Sequence, residues 1–357
     1  MGTATPQRIL VLAIRAIGDV VLITPIIRIL RQAFPRALLT VLANGASARV
    51  LQHNPHIDRV VEIDRETERQ LSFPVRLGHW KRFFAQLRQD RFDTVIDLYS
   101  GPRSALWGWL SNARNRYGED TRHRLRGFLY NHRVPVDRDG RHLIEQKLDV
   151  VVPLVGAIDR SLARLEVYVS NEEVQRARHT LSALNRKNPR LVGLVPGAGS
   201  PWRVWPHERY AELGNMLVKQ FGVNIVLLGG EADRSLCESI NMNLTEPSLD
   251  LSGQTSLREL VAVLAELDLV IANVTGPMHI ASALDKPRVI GLYGAADTVQ
   301  YAPWSPRAVM ITKGKPQEAY WQHVDYERDY QRLLEITVAD VSKTVSDVMK
   351  EWNSTES

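Results

Sequence analysis

"LVIANVTGPMHIASAL", residues 269–284, sets the class of the fold. An apolar run ends at Asn273, a Thr-Gly-Pro turn follows, and apolar residues then recur at helical spacing around His279. This is a buried strand passing into a helix through a turn whose amide N–H groups are open to an anion. The passage recurs along the chain. "RILVLAI" (8–14), "LLTVLA" (38–43), "RVVEI" (59–63) and "TVIDLY" (94–99) read as short buried strands, with helical stretches such as 25–34 and 75–89 between them. Thr24-Pro25 predicts an N-cap followed by the first helical residue. Alternation of this kind predicts a parallel sheet covered on both faces. After the polar stretch "NRKNPR" (185–190), a candidate linker, the alternation restarts. It runs through "LVGLVPGAGS" (191–200), a helix over 207–221, "VNIVLLGG" (223–230), a helix over 256–266, "DLVIAN" (268–273), a helix over 276–284 and "PRVIGLYG" (287–294). The segment 338–352 is helical by spacing.

The chain has 357 residues, more than one core usually organises, so two domains are expected. The fold class is α/β: two Rossmann-like doubly wound domains facing a central cleft, over 1–170 and 190–335, with 336–357 as a terminal segment. Ligands of such sheets bind outside the carboxyl ends of the strands. A single cysteine, Cys237, excludes an intrachain disulfide. The first residues lack the run and cleavage site of a signal peptide, and no stretch reaches the roughly 18 apolar residues of a membrane helix. Cytoplasm is the simplest expectation. The basicity is local: residues 76–133 hold twelve Lys and Arg against five Asp and Glu, a net +7 in a chain whose total is +5. That segment reads either as a solvated helix face or as a surface for phosphates, acidic sugars, anionic lipid heads or nucleic acid.

Four loops could carry chemistry. "RAIGDV" brings Gly18 and Asp19 to the end of the first strand, where Asp19 reads as a helix cap or as a carboxylate near helical N–H groups. "PGAGSPWRVWP" (196–206) has the glycines that let backbone amides approach phosphate oxygens, and Arg203 adds a charged fork. Trp202 and Trp205 read as packing residues. The opening turn offers Thr275, Gly276 and His279, with a helical histidine as the plainer reading of the last. "DLYSGPRS" (97–104) places Arg103 just past a strand end. There is no GxGxxG, HExxH or GxSxG, so dinucleotide binding, zinc and a nucleophile elbow lack support. "DRD" (137–139) sits in a polar turn and reads as that turn rather than as a metal motif.

Taken in order and spacing, several segments resemble the ADP-heptose:lipopolysaccharide heptosyltransferases, glycosyltransferase family 9, which have the GT-B fold. They are "RILVLAIRAIGDVVLITPIIRILRQAFP", "DLYSGPRSALWGWLSNARNRYG", "HLIEQKLDVVVPLVG", "PGAGSPWRVWPHERYAEL" and "NVTGPMHIASAL". The resemblance implies that Asp19 is the catalytic base. It implies that Arg203 stands where a Lys contacts the donor diphosphate, that Thr275 and Gly276 give backbone contacts to that diphosphate, and that His279 is a donor-site histidine. Thr255 is placed near the adenine pocket. Gly197, Ala198, Gly199 and Glu231 join the donor side; Gly18, Arg103 and Arg122 join the acceptor side. The terminal helix is expected to pack back on the N-terminal domain.

Two departures stand out: Arg203 in place of Lys, and Val274 where the family has the Asp of "NDTGPMH". A valine cannot accept hydrogen bonds from sugar hydroxyls, so the donor sugar differs, Val274 points elsewhere, or activity is reduced. The implied reaction is an inverting, metal-independent transfer of heptose from ADP-heptose, with no cofactor. The implied partners are an anionic lipid A–Kdo acceptor and the cytoplasmic surface of the inner membrane, with no nucleic acid. Another nucleotide sugar serving a different surface glycan, or a catalytically weak nucleotide-sugar-binding protein, are the rival readings.

Overall fold

The computed structural model describes residues 5–64, 70–120, 125–184, 190–294, 298–314 and 326–355. The chain divides into two compact units, Met1–Tyr168 and Val169–Ser357.

The first unit is built on six parallel strands: β1 (Arg8–Ala13), β2 (Leu38–Asn44), β3 (Arg59–Ile63), β4 (Thr94–Asp97), β5 (Asn115–Glu119) and β6 (His132–Val134). Their order is β3-β2-β1-β4-β5-β6. The chain winds outward from β1 to β3, returns to the centre, and winds the other way from β4. The loops after β1 and β4 therefore flank the point where the winding reverses, the usual ligand position in such sheets. One face is sealed by an aromatic cluster: Trp80, Phe83 and Phe84 on the helix Phe73–Gln89 pack on Trp107 of the helix Pro102–Leu110, with Trp80 and Trp107 centroids 5.0 Å apart.

The second unit repeats the plan with β7 (Leu191–Val195), β8 (Asn224–Leu227), β9 (Leu249–Asp250), β10 (Leu269–Asn273), β11 (Arg288–Tyr293) and β12 (Ala308–Thr312), in the order β12-β11-β10-β7-β8-β9. All pairs are parallel, and here the reversal lies between β7 and β10. β7 and β10 are buried along nearly their whole length, which is why they read as continuous apolar runs.

One expectation, the cap at Thr24, is corrected, and two segments find their place in the second unit. The terminal helix, Val338–Thr355, belongs to the second unit: Val338, Val341, Val345, Val348 and Met349 join a core with Leu213 and Leu217 of the helix His207–Phe221. Trp205 Nε1 donates to the Ile336 carbonyl at 2.9 Å, and Arg209 donates to the Leu334 and Ile336 carbonyls at 2.6 and 2.8 Å, fixing the chain as it enters that helix. The apolar stripe is satisfied within its own unit. Thr24 is a first-turn residue of the helix Thr24–Ala33 and not its cap, which is Ile23. Its hydroxyl donates to the Val21 carbonyl and accepts from Glu166 N at 3.0 Å. The helix Asn171–Leu181 is part of the second unit and pairs Glu173 with Arg258 of the helix Leu257–Glu266, Nε to Oε1 at 2.8 Å. Residues 185–189 of the candidate linker lie outside the described residues.

Candidate active site

In the first unit, Asp19 occupies the first turn of the short helix Ile17–Leu22, directly after β1. Its Oδ2 meets Arg15 Nε at 3.3 Å, while its Oδ1 is buried with no hydrogen-bond partner. Burial pushes the carboxyl above the usual aspartate range, and Arg15 and then Lys147 pull it back. A carboxylate so placed is a better base near neutral pH than a solvated one, because its affinity for a proton is raised.

The loop after β4 is organised by Asp97. Its Oδ1 accepts from the Tyr99 and Ser100 amides at 2.9 Å, and its Oδ2 accepts from the Tyr130 hydroxyl at 2.6 Å. Asp97 is fully buried, and that burial raises its pKa against the lowering effect of its donors. The turn it holds presents Tyr99, over whose ring the Arg15 guanidinium lies at 5.4 Å. Arg15 thus ties the β1 loop to the β4 loop. Gly18 is partly exposed beside Asp19, and Arg103 projects from the exposed face of the helix Pro102–Leu110. Arg122 lies outside the described residues.

In the second unit the loops after β7 and β10 meet at the reversal point, joined by Asn273. Its Nδ2 donates to the Pro196 carbonyl at 2.6 Å, and its Oδ1 accepts from Trp205 N at 3.2 Å. One buried side chain holds both ends of the glycine-rich stretch 197–204. Gly197 is needed there: a Cβ would stand 2.2 Å from Asp233 Oδ1, and that carboxylate is engaged by the Gly230 amide at 2.9 Å. Arg203 closes the turn Pro201–Arg203, and Trp205 is fully buried edge-on against Tyr210. Trp202 sets its edge against Tyr330.

Thr275 is the N-cap of the helix Gly276–Ser282, with its side chain making no capping bond, so the first-turn amides of Gly276 and its neighbours are not covered by it. His279 is buried one turn into that helix. Val274 is 8% exposed. Ala198 lines a cavity of about 540 Å³ with Pro201, His207, Asp233 and Tyr330. Thr255 lines a separate one of about 370 Å³ with Glu173, Arg176, Gln254, Arg258 and Glu259. Glu231 is exposed in the loop after β8, paired with Arg234 at 3.4 Å. The structure therefore gathers Gly197–Gly199, Arg203 and Val274–Gly276 around one strand-end junction, and places Thr255 and Glu231 on the neighbouring loops. "DRD" is a turn, with Asp137 accepting from the Asp139 amide and Arg138 paired with Glu119.

The sequence model of glycosyltransferase family 9 (heptosyltransferase) matches residues 80–330. The chain belongs to this family. Among curated relatives, it is 26% identical to lipopolysaccharide heptosyltransferase 2 of Salmonella typhimurium over 97% of this chain and 99% of that one. It is 28% identical to lipopolysaccharide heptosyltransferase 3 of Escherichia coli over 94% and 96%. Among solved structures, the E. coli ADP-heptose lps heptosyltransferase II superposes with a TM-score of 0.80 at 22% identity, covering 97% of this chain and all of that one. The fold is thus that of the GT-B heptosyltransferases, and the protein is a glycosyltransferase.

Four residues of this candidate site escaped the sequence reading: Arg15, Asp97, Lys147 and Asn273. Asp97 and Asn273 had a signal, each being a polar residue that ends an apolar strand. Lys147 had one too, since it falls on the apolar stripe 143, 144, 147, 148 and 151 of its helix.

Proposed function

We propose that this protein transfers a heptose from ADP-heptose to the inner core of a lipopolysaccharide, with inversion and without a metal. The observation that carries the reading is Asp19: a carboxylate at the reversal point of the first sheet, one oxygen tied to Arg15 and the other unengaged. The names of the relatives support the substrate class. Asp19 Oδ1 accepts the proton of the acceptor hydroxyl as that oxygen bonds to the anomeric carbon. The bond from that carbon to the β-phosphate oxygen breaks, and ADP departs with the electron pair. Arg203, the amides of 197–199 and the first-turn amides at Gly276 are the groups that meet the growing negative charge. General-base assistance is worth about 10²–10⁴-fold in rate.

The acceptor is anionic and membrane-borne in this reading, and the +7 segment is the matching surface. Arg103, Leu106 and Trp109 share the exposed face of the helix Pro102–Leu110, which packs beside the turn Leu125–Leu129 carrying the exposed Phe128. Arg133 lies 5.4 Å over the Phe128 ring. Apolar rings ringed by arginines suit the headgroup region of an anionic leaflet. Among the described residues no helix is long and apolar enough to cross a membrane.

The test is product formation by purified protein from ADP-heptose and a Kdo-bearing lipid A acceptor. Asp19→Ala abolishes transfer while ADP binding stays intact. An Asp19→Ala enzyme with near-normal turnover would sink the base assignment. Val274 favours one second reading, a different nucleotide sugar as donor, and a donor screen in which ADP-heptose is outpaced would establish it.

A further inference from the structure

A chain of contacts runs from the turn after β4 to Asp19. It starts at Asp97, whose Oδ1 accepts from the Tyr99 and Ser100 amides at 2.9 Å. Ser100 is held there at a φ of 58°, a left-handed conformation that residues with a side chain rarely adopt and that clusters at functional sites. Gly101 comes next, and a Cβ on it would stand 2.3 Å from Tyr99 Cε1. Its own φ, −91°, is open to any residue, so the ring and not the backbone requires glycine at 101. The Arg15 guanidinium lies over that ring, 5.4 Å from its centroid, inside the roughly 6 Å over which a cation is drawn to a π face. Arg15 Nε then meets Asp19 Oδ2 at 3.3 Å. The Arg15 backbone is pinned as well: its N–H donates to the Ala13 carbonyl and its carbonyl accepts from the Ser47 hydroxyl, both at 2.9 Å. An arginine side chain that is 36% exposed would otherwise wander among rotamers. The cations acting on Asp19 are Arg15 and Lys147. The helices packed against its own, Thr24–Ala33 and Gly45–Arg49, carry Arg28, Arg31 and Arg49, which pair with Glu166, Asp58 and Glu62.

We propose that Tyr99 and Arg15 are positioning residues for the transfer: the ring seats the guanidinium, the guanidinium holds Oδ2 of Asp19, and Oδ1 is left turned to the acceptor hydroxyl. The proposal rests on the reading of Asp19 as the base. Neither residue has to touch the reacting atoms. A base misplaced by about 1 Å can lose on the order of 10²-fold in rate, so a planar, doubly held arginine is suited to the task. The same contact keeps a positive charge beside the carboxylate and favours its ionised form.

The experiment is the pH profile of kcat with ADP-heptose and a Kdo-bearing lipid A acceptor, with KM for ADP-heptose and melting temperature recorded alongside. The variants are Arg15→Met, Tyr99→Leu, Tyr99→Phe, Gly101→Ala, Arg15→Met combined with Tyr99→Leu, and Asp19→Asn. Arg15→Met removes a cation in contact with the carboxylate, so the acid limb moves up by about one pH unit and turnover on it falls about tenfold. Tyr99→Leu unseats the guanidinium and costs about two- to fivefold on that limb. Tyr99→Phe keeps the ring and the parent profile. Gly101→Ala drives the ring from its place with Tyr99, Arg15 and Asp19 all present, and reproduces Tyr99→Leu; it decides the matter where the Leu variant does not fold. KM for ADP-heptose is unchanged throughout. In the Arg15→Met background Tyr99→Leu adds nothing, because the ring acts through the guanidinium. Additive losses overturn the proposal, and so do Tyr99→Leu and Gly101→Ala enzymes with the parent profile. An Arg15→Met enzyme slowed equally at every pH, its limb in place, overturns it in favour of a purely structural arginine. Any of these three results beside an inactive Asp19→Asn enzyme leaves the base reading standing. Full turnover in Asp19→Asn overturns that reading itself.

Discussion

Asn273 shows how one side chain positions a loop that its own segment does not contain. Its two bonds to Pro196 and Trp205 are buried, so removing them leaves a carbonyl and an amide without partners in the interior. Such orphaned groups cost about 1–3 kcal/mol each. Asn273→Ala is expected to lower the melting temperature and to weaken ADP binding at least tenfold, as read by calorimetry, since the glycine-rich loop loses its anchor. Val274, next in sequence, is 8% exposed. A carboxylate there would lose its hydration, at about 1–3 kcal/mol or more. Val274→Asp is therefore expected to destabilise the protein without raising kcat/KM for ADP-heptose. A tenfold gain would instead show that the side chain at 274 reaches the sugar. Lys147 carries a stability cost with a defined pH window. Burial holds its folded pKa at about 8, below the 10.5 of a free lysine, so the folded state pays for the charge below pH 8 and is relieved between about pH 8 and 10.5. At about 1.4 kcal/mol per unit this is on the order of 3 kcal/mol. Denaturant titrations should find Lys147→Met more stable than the parent at pH 7, with the gap closing toward pH 10.5.

At the scale of elements, the terminal helix shows how an apolar stripe finds its cover. Its apolar residues recur at 338, 341, 345, 348 and 349, a stripe that must be covered wherever the helix goes. The cover is the helix His207–Phe221 and the surrounding core, and the approach is set by Trp205 and Arg209 gripping the carbonyls of Leu334 and Ile336. Val345 is fully buried there. Val345→Ala removes two methyl groups and is expected to cost about 2 kcal/mol. In a partial-unfolding experiment the loss should appear in the protection of amides in the second unit and leave the first unchanged. The same logic explains which strands were unreadable. β5, "NRYGE", and β9, "LD", are too polar or too short to stand out, and they form because a finished neighbour offers them a hydrogen-bonded edge. β1, β2, β7 and β10 were readable because nearly all of their residues are buried, which makes them mostly apolar runs.

At the scale of the whole molecule, the charge asymmetry is a property of the first unit. Trp109 is 51% exposed and Phe128 61%, beside Arg103 and Arg133. Binding to vesicles is expected to require anionic lipid and to weaken as ionic strength rises and the Debye length falls from about 10 Å at 0.1 M to about 3 Å at 1 M. Trp109→Ser should reduce it further without changing donor binding. Vesicle binding indifferent to lipid charge and to salt would remove the membrane from the reading. The sequence alone determined the two doubly wound sheets, because strand–helix alternation with apolar central strands has few other solutions. It also determined the strand-end loops that carry Asp19, Arg203 and Thr275–Gly276, because turn residues between periodic segments are local signals. Tertiary structure alone decided the rest. Which loops meet follows from strand order, and strand order is not written in any one segment: β7 touches β10 across 77 residues, as the Asn273–Pro196 bond records. The burial of Lys147 and Val274 and the seat of the terminal helix likewise depend on neighbours distant in sequence, and only packing brings those neighbours together.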